Sequence, residues 1–312
     1  MTDITAWPAI PFGPWQDSCA ALHLYTQIVG KYRLAHTPWV NHSWHATHYV
    51  TADGLTTGLI PDGPGVTVQF DLQRQRLIAS CSTGESSGFA LEPMSVASFD
   101  HKFKETIAAL GGSPKYHASP NELPHAIAFA EDVAERPWDA DAVSRFHRAL
   151  VQIDAVFSEF RTAFLGKVSP VHLFWGSFDL AVTRFSGRLA PLHPGGIPNL
   201  PDTVTREAYS HEVSSAGFWP GGGGIDEPCF YSYAYPTPEG FADEPVRPEQ
   251  ARFDTNLGEF VLPYETVRAA LNPREMLLEF LNSSFAAAES LADWDKDLTC
   301  ALGQKGVPRR IR

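Results

Sequence analysis

Three clusters of side chains in this sequence could do chemistry. The first is Asn41-His42-Ser43-Trp44-His45, with His48 just beyond. The second is His172, Trp175, Ser177, Asp179, Thr183 and Arg184. The third is Tyr209-Ser210-His211-Glu212, followed by Gly217-Phe218-Trp219-Pro220. His172, His211 and one carboxylate, Asp179 or Glu212, form the donor set of a two-histidine, one-carboxylate metal site. Without a metal the same groups suit general acid–base work, with Arg184 holding an anion. A third use is structural, in which each group satisfies another in the core. Trp175, Tyr209 and Trp219 would wall a cleft for a small-molecule ligand, and His42 and His45 are further binding candidates. The residues alone name no cofactor and no metal. On a straight strand His42 and His48 share a face and His45 takes the other, so three converging ligands would need a bend.

Those residues must be positioned by elements that the apolar pattern outlines. A helix is expected over 15–29, with Ala21, Leu24, Tyr25 and Ile28 on one face and Gly30 as its stop. An extended stretch over 39–51 and short strands at 66–72, 76–82 and 88–91 follow. Ser95 is placed to cap a helix whose stripe is Val96, Phe99, Phe103, Ile107 and Leu110. Asp139 caps a longer one. Its apolar positions Val143, Phe146, Leu150, Ile153, Phe157, Phe160 and Phe164 alternate steps of three and four, and the aromatic bulk favours a core helix over a coiled coil. The most strand-like text runs from Val171 to Phe185, with further strands near 206–213, 229–235 and 258–262. Helices at 264–271 and 273–291 close the chain, the second with Asn272 as cap, Pro273 at its first position and Glu275 in the capping-box place.

On one unbroken strand His172 and Asp179, seven apart, would point to opposite faces. A bulge at Gly176 would reset the alternation and bring them to one face. The two halves of the chain also share an order: Gly30-Lys31 and Gly166-Lys167, then Trp44 and Trp175, then Val50-Thr51 and Val182-Thr183, then Gly54 and Gly187. An internal duplication follows from that order. The expected fold is α+β, two related halves of helix, antiparallel strands and helix, packed about a pseudo-twofold axis. The first half spans 1–112, a connecting surface segment 113–138, the second half 139–294 with the main motifs, and a basic tail 295–312.

Composition bounds the function. The 312 residues are 44% hydrophobic and carry a net charge of −12, so a sizeable core forms and a nucleic-acid partner is not expected. No apolar run approaches the roughly 20 residues of a membrane span, and 1–11 lack the features of a signal peptide. The four cysteines are scattered, with no Cys-x-x-Cys pair, which fits reduced thiols in the cytoplasm. No dinucleotide, phosphate-loop, nucleophile-elbow or zincin signature is present. The Gly221–Gly224 run lacks the Lys-Ser/Thr of a phosphate loop and reads as a turn or lid tip.

Two long strings, Ser169 to Gly187 and Glu207 to Val213 with Gly217 to Gly221, resemble a bacterial domain-of-unknown-function family, numbered 5996. The resemblance runs from Trp7-Pro8 to Trp294 and implies no activity. The family's first motif resembles Val40 to His45, which leaves His42 and His45 as candidates, and His48 departs from it. Three functions stay in competition: an enzyme acting on a small molecule through His172, Asp179, Arg184, His211 and Glu212, a non-catalytic small-molecule binder, and a structural or interaction protein. Oligomeric state is not legible.

Overall fold

A computed structural model describes residues 7–222 and 224–300. Gly223 of the glycine run and Arg309, Arg310 and Arg312 of the basic tail lie outside the described residues.

The first long helix, α1 (Gln16–His36), is followed by an antiparallel meander. Its strands are β1 (Tyr49–Val50), β2 (Gly54–Ile60), β3 (Val66–Asp71), β4 (Arg76–Cys81) and β5 (Ser86–Ala90), adjacent in that order. A two-residue strand β6 (Met94–Ser95) leads into α2 (Val96–Ala109), where the Ser95 hydroxyl accepts from the Ser98 amide as the cap motif requires. The rings of Tyr25, Phe70, Phe89 and Phe99 bind α1 and α2 to one face of this sheet. The segment after α2 is irregular, and its short strand β7 (Glu135–Arg136) pairs with β6.

The second half opens with α3 (Ala140–Thr162), capped by the Asp139 carboxylate on the Ala142 amide at 2.9 Å. All seven residues of its three-and-four stripe are buried. Then come β8 (His172–Phe174), β9 (Asp179–Leu189), α4 (Asp202–Ala208), β10 (His211–Trp219), β11 (Cys229–Tyr235), β12 (Arg252–Asp254), β13 (Glu259–Pro263), α5 (Tyr264–Arg268) and α6 (Pro273–Leu291). The sheet order is β12-β13-β11-β10-β9-β8, every neighbour antiparallel. Phe157 of α3 and Phe285 of α6 pack on the face carrying Phe230 and Arg184. The two sheets meet where His48 and Leu173 exchange both backbone hydrogen bonds, at 3.0 and 2.8 Å, and one hydrophobic core runs through both halves.

The architecture is mixed helix and antiparallel sheet, as the pattern predicts. Four expectations differ. The helix α1 does not stop at Gly30. That glycine continues the helix because a Cβ there would lie 2.2 Å from the Trp175 ring, so the site is a close packing contact. The 171–185 text is a hairpin rather than one bulged strand. The chain turns at 175–178, with Phe178 at φ 58°, and His172 pairs with Ala181. His172 therefore shares a face with Asp179 through the hairpin, and no bulge at Gly176 is needed. Residues 206–208, expected to start a strand, are instead the end of α4, and the strand begins at His211. Trp44 lies just after a 3-10 turn at Asn41–Ser43, whereas Trp175 lies in the β8–β9 turn, so the two tryptophans do not mark equivalent strands.

Candidate functional site

The face of the second sheet that turns away from α3 and α6 is polar and aromatic. Strand alternation puts Asp179 and Thr183 of β9, Ser215, Gly217 and Trp219 of β10, and Tyr231 and Tyr233 of β11 on it. The register sets Gly217 between Ala181 and Tyr231, and Ser215 between Thr183 and Tyr233. Gly217 leaves a trough: a Cβ there would come 2.3 Å from the Tyr231 ring. The phenol lies across that trough, and its hydroxyl donates to Asp179 Oδ2. Ser177, in the hairpin turn, donates to Asp179 Oδ1. Trp219 stacks on Tyr231 at 4.2 Å, and Tyr209 and Tyr233 join hydroxyl to hydroxyl at 2.8 Å. Ser215 sits directly across from Tyr233, and its hydroxyl meets that of Thr183 at 2.8 Å.

Two more carboxylates join Asp179. Glu122 comes from the irregular segment after α2, and it lies on Gly176, where an added Cβ would be 1.8 Å from its Oε1. Its backbone is left-handed, at φ 61°, a costly conformation for glutamate. The neighbouring contacts hold it there. Its N–H donates to the Pro198 carbonyl at 2.9 Å, the Asn121 amide donates to Gln27 Oε1 at 2.7 Å, and Asn121 Nδ2 donates to the Asn199 carbonyl at 2.6 Å. Glu259, at the start of β13, supplies the third carboxylate, and its Oε2 is buried without a hydrogen-bond partner. Lys31 is the nearby cation. It is 3% exposed, lies 5.4 Å over the Trp175 ring and donates to Asn121 Oδ1.

Burial and mutual repulsion set the proton affinities. Burial and then the Asp179 charge push Glu122 up to about 7, against the pull of Lys31. Burial, Asp179 and Asp254 push Glu259 up to about 8. Burial raises Asp179 too, opposed by the hydrogen bonds from Ser177 and Tyr231. Burial pulls Lys31 down to about 8, opposed by Glu122. Among the described residues none of the three carboxylates forms an ion pair within 4 Å. Around Asp179 the hydroxyls of Ser177 and Tyr231 stand where a cation would otherwise pair a buried carboxylate.

A family profile described as a family of unknown function (DUF5996) matches residues 7–300. The chain belongs to the DUF5996 family. No curated protein and no solved structure matches it.

The residues predicted in this DUF5996 chain fall into separate places. Asp179, Trp219 and Tyr209 lie on the polar face described above. Trp175 borders it, donating from Nε1 to the Ala46 carbonyl at 2.7 Å. His42 and His211 form a second group, with rings 6.1 Å apart. His42 Nδ1 donates to the Ala208 carbonyl, which leaves Nε2 to accept from Lys167 Nζ at 2.6 Å. The Glu207 carboxylate accepts from the His42 amide, and Lys167 lies 5.1 Å over Trp44. His45 Nδ1 sits 3.1 Å from the Val40 backbone. His172 is fully buried beside the Thr47 hydroxyl at 3.3 Å, and burial pulls it down to about 3.

Arg184 points to the opposite face of the sheet. Its guanidinium lies 3.5 Å from the Phe160 ring centroid and 4.2 Å from that of Phe285, and it donates to the Phe160 carbonyl. Five residues after Asp179 on a regular strand, it could not reach the same surface. Glu212 is engaged at the strand end, accepting from Ser186 and Arg188. Among the described residues no three of His, Cys, Asp or Glu are placed to hold a metal ion. Gly221 packs on Phe12, where a Cβ would fall 2.5 Å from the ring.

Sequence reading missed Glu122, Glu259, Lys31, Tyr231 and Tyr233. The alternation Tyr231-Ser-Tyr233-Ala-Tyr235 was a usable signal, because period-two tyrosines must share one face of a strand. Glu122 carried no such signal, since it sits in an irregular segment rich in proline.

Proposed function

We propose that this protein is an enzyme that acts on a small organic molecule by general acid–base chemistry, with Asp179 and Glu122 as its proton-handling pair. One observation carries the reading. Carboxylates from three separate segments lie within electrostatic reach of one another on an aromatic sheet face without ion-pair partners, and the backbone of one of them is strained. A core built only for stability pairs such groups or replaces them with apolar ones.

The environments divide the roles. Asp179 accepts hydrogen bonds from two hydroxyls, which favour its anion and suit it as the base. Glu122 accepts none and faces the Asp179 charge, so it keeps a proton near neutrality and suits the acid. Lys31 is placed to offset charge beside Glu122. Trp219, Tyr231 and Tyr209 form a wall against which a flat or partly apolar substrate would lie.

Two further readings belong with this one. The substrate is a soluble metabolite met in the cytoplasm, a reading that fits scattered free cysteines and the absence, among the described residues, of any helix long and apolar enough to cross a membrane. The two halves are a duplicated unit. In its support, each has a long helix, then five antiparallel strands in meander order, with β12 added at the second edge.

The test is conversion of metabolites. The purified chain is incubated with the small-molecule fraction of a cell extract and followed by mass spectrometry. A compound consumed by the wild type, and spared by folded Glu122→Gln and Asp179→Asn variants, supports the pair. Consumption that both variants retain in full would overturn the assignment, and so would a wild type that converts nothing while its three carboxylates titrate in the ordinary range by carbon-13 NMR.

A further inference from the structure

The Lys167 amine is paired with an imidazole rather than with a carboxylate. Its Nζ lies 2.6 Å from His42 Nε2, and among the described residues it forms no ion pair. The other ring nitrogen fixes the tautomer. Nδ1 donates to the Ala208 carbonyl at 3.0 Å, so the neutral ring presents its Nε2 lone pair to the amine. The nearest acidic side chain does not serve the lysine. Glu207 spends both carboxylate oxygens on the His42 amide, at 2.9 and 2.8 Å. The backbone there is strained, with His42 and Ser43 in succession at φ 58° and 57°, left-handed conformations that such residues rarely adopt.

Two aromatic rings complete the group. Trp44 and Phe185 lie 5.1 and 4.8 Å from Nζ. Phe185 continues the β9 alternation of Asp179 and Thr183, so the group stands at the far end of the same sheet face. His42 is 4% exposed, whereas Lys167 is exposed and Trp44 half-buried, so the pair is open to solvent on the lysine side.

An amine attacks carbon only after it gives up its ammonium proton, and an adjacent base makes that possible at neutral pH. The ring faces favour the ammonium. Desolvation opposes it more strongly than Glu207 supports it, so Lys167 holds its proton less tightly than an ordinary lysine. Burial keeps His42 neutral and ready to accept, and the Ala208 carbonyl and Glu207 steady its cation against the charges of Lys167 and His211.

We propose that Lys167 is a nucleophilic amine that forms an imine with an aldehyde or ketone, with His42 as its proton acceptor and Trp44 and Phe185 walling the apolar part of that compound. His42 Nε2 takes one of the three ammonium protons. The freed nitrogen lone pair then bonds to the carbonyl carbon, and a second proton passes from nitrogen to the former carbonyl oxygen. His42 returns its proton to that hydroxyl, which leaves as water while the nitrogen lone pair closes the C=N bond. The third proton stays on nitrogen. The site stands whether or not Asp179 and Glu122 move protons.

The probe is benzaldehyde, added in limiting amount to the full chain with cyanoborohydride at pH 7, with each lysine's labelling rate read by peptide mass spectrometry. Lys167 is labelled about tenfold or more faster than exposed Lys115, and folded His42→Gln loses that advantage. If His42→Gln does not fold, the pH profile of the wild type decides. Lys167 labelling then reaches half its plateau at a lower pH than free Nα-acetyllysine in the same mixture. Labelling of Lys167 no faster than that of Lys115, an advantage retained in full by folded His42→Gln, or a pH profile matching the free amino acid overturns the proposal.

Discussion

Replacing Glu122 by glutamine should stabilise this protein at alkaline pH and leave it unchanged in acid. The folded state holds the Glu122 proton up to about pH 7, against an ordinary value of 4.5. Across that window the native state binds more protons than the unfolded chain, so stability falls as pH rises from 4.5 to 7. A shift of that size, at about 1.4 kcal/mol per unit, sets a ceiling of ~3.5 kcal/mol. Glu122 is only half-buried, and solvent screening brings the expected gain of Glu122→Gln to roughly 2 kcal/mol at pH 8. Lys31 works the other way, because the variant removes its neighbouring anion. Burial and Asp179 outrank Lys31 among the influences on Glu122, so the sign should hold. The assay is urea denaturation of wild type and variant at pH 4.5 and pH 8. A variant less stable than wild type at pH 8, or a difference that is the same at both pH values, would refute the electrostatic account of this carboxylate.

Substitutions at two other residues probe the two faces of the second sheet. Arg184→Met keeps the bulk beside Phe160 and Phe285 while removing a buried charge, and its stability should fall within about 1 kcal/mol of wild type or above it, whereas Arg184→Ala should lose about 3–5 kcal/mol; equal losses in denaturant would contradict that. Tyr231→Phe takes a donor from Asp179, so the Asp179 carboxyl should titrate higher by carbon-13 NMR, with about 1–3 kcal/mol lost at pH 8 and less in acid; an unmoved Asp179 signal would mean that the phenol does not hold it.

Much of the scaffold was legible because it rests on short-range rules. The stripe on α3 and the caps at Ser95, Asp139 and Asn272 depend on residues three or four apart, and they folded as read. The hairpin at 175–178 was not legible, since its apolar text runs on without a Pro or an Asn-Gly pair and only Gly176 hints at a turn. Asp179, Trp219 and Tyr209 were named from sequence because they sit in dense polar-aromatic strings. Arg184 and Glu212 sit in the same strings, yet strand parity and a surface arginine take them elsewhere. Glu122 and Lys31 reach the face from segments separated by most of the first half, and only tertiary contacts such as Asn121 with Gln27 bring them together.

The hydroxyls on the polar face meet in pairs, Tyr209 with Tyr233 and Ser215 with Thr183. Within a pair either oxygen can donate, so each pair has two proton arrangements on the same oxygen positions. A charge arriving beside Tyr209 would select which of the two phenols donates, with the oxygen positions unchanged and only the protons rearranged.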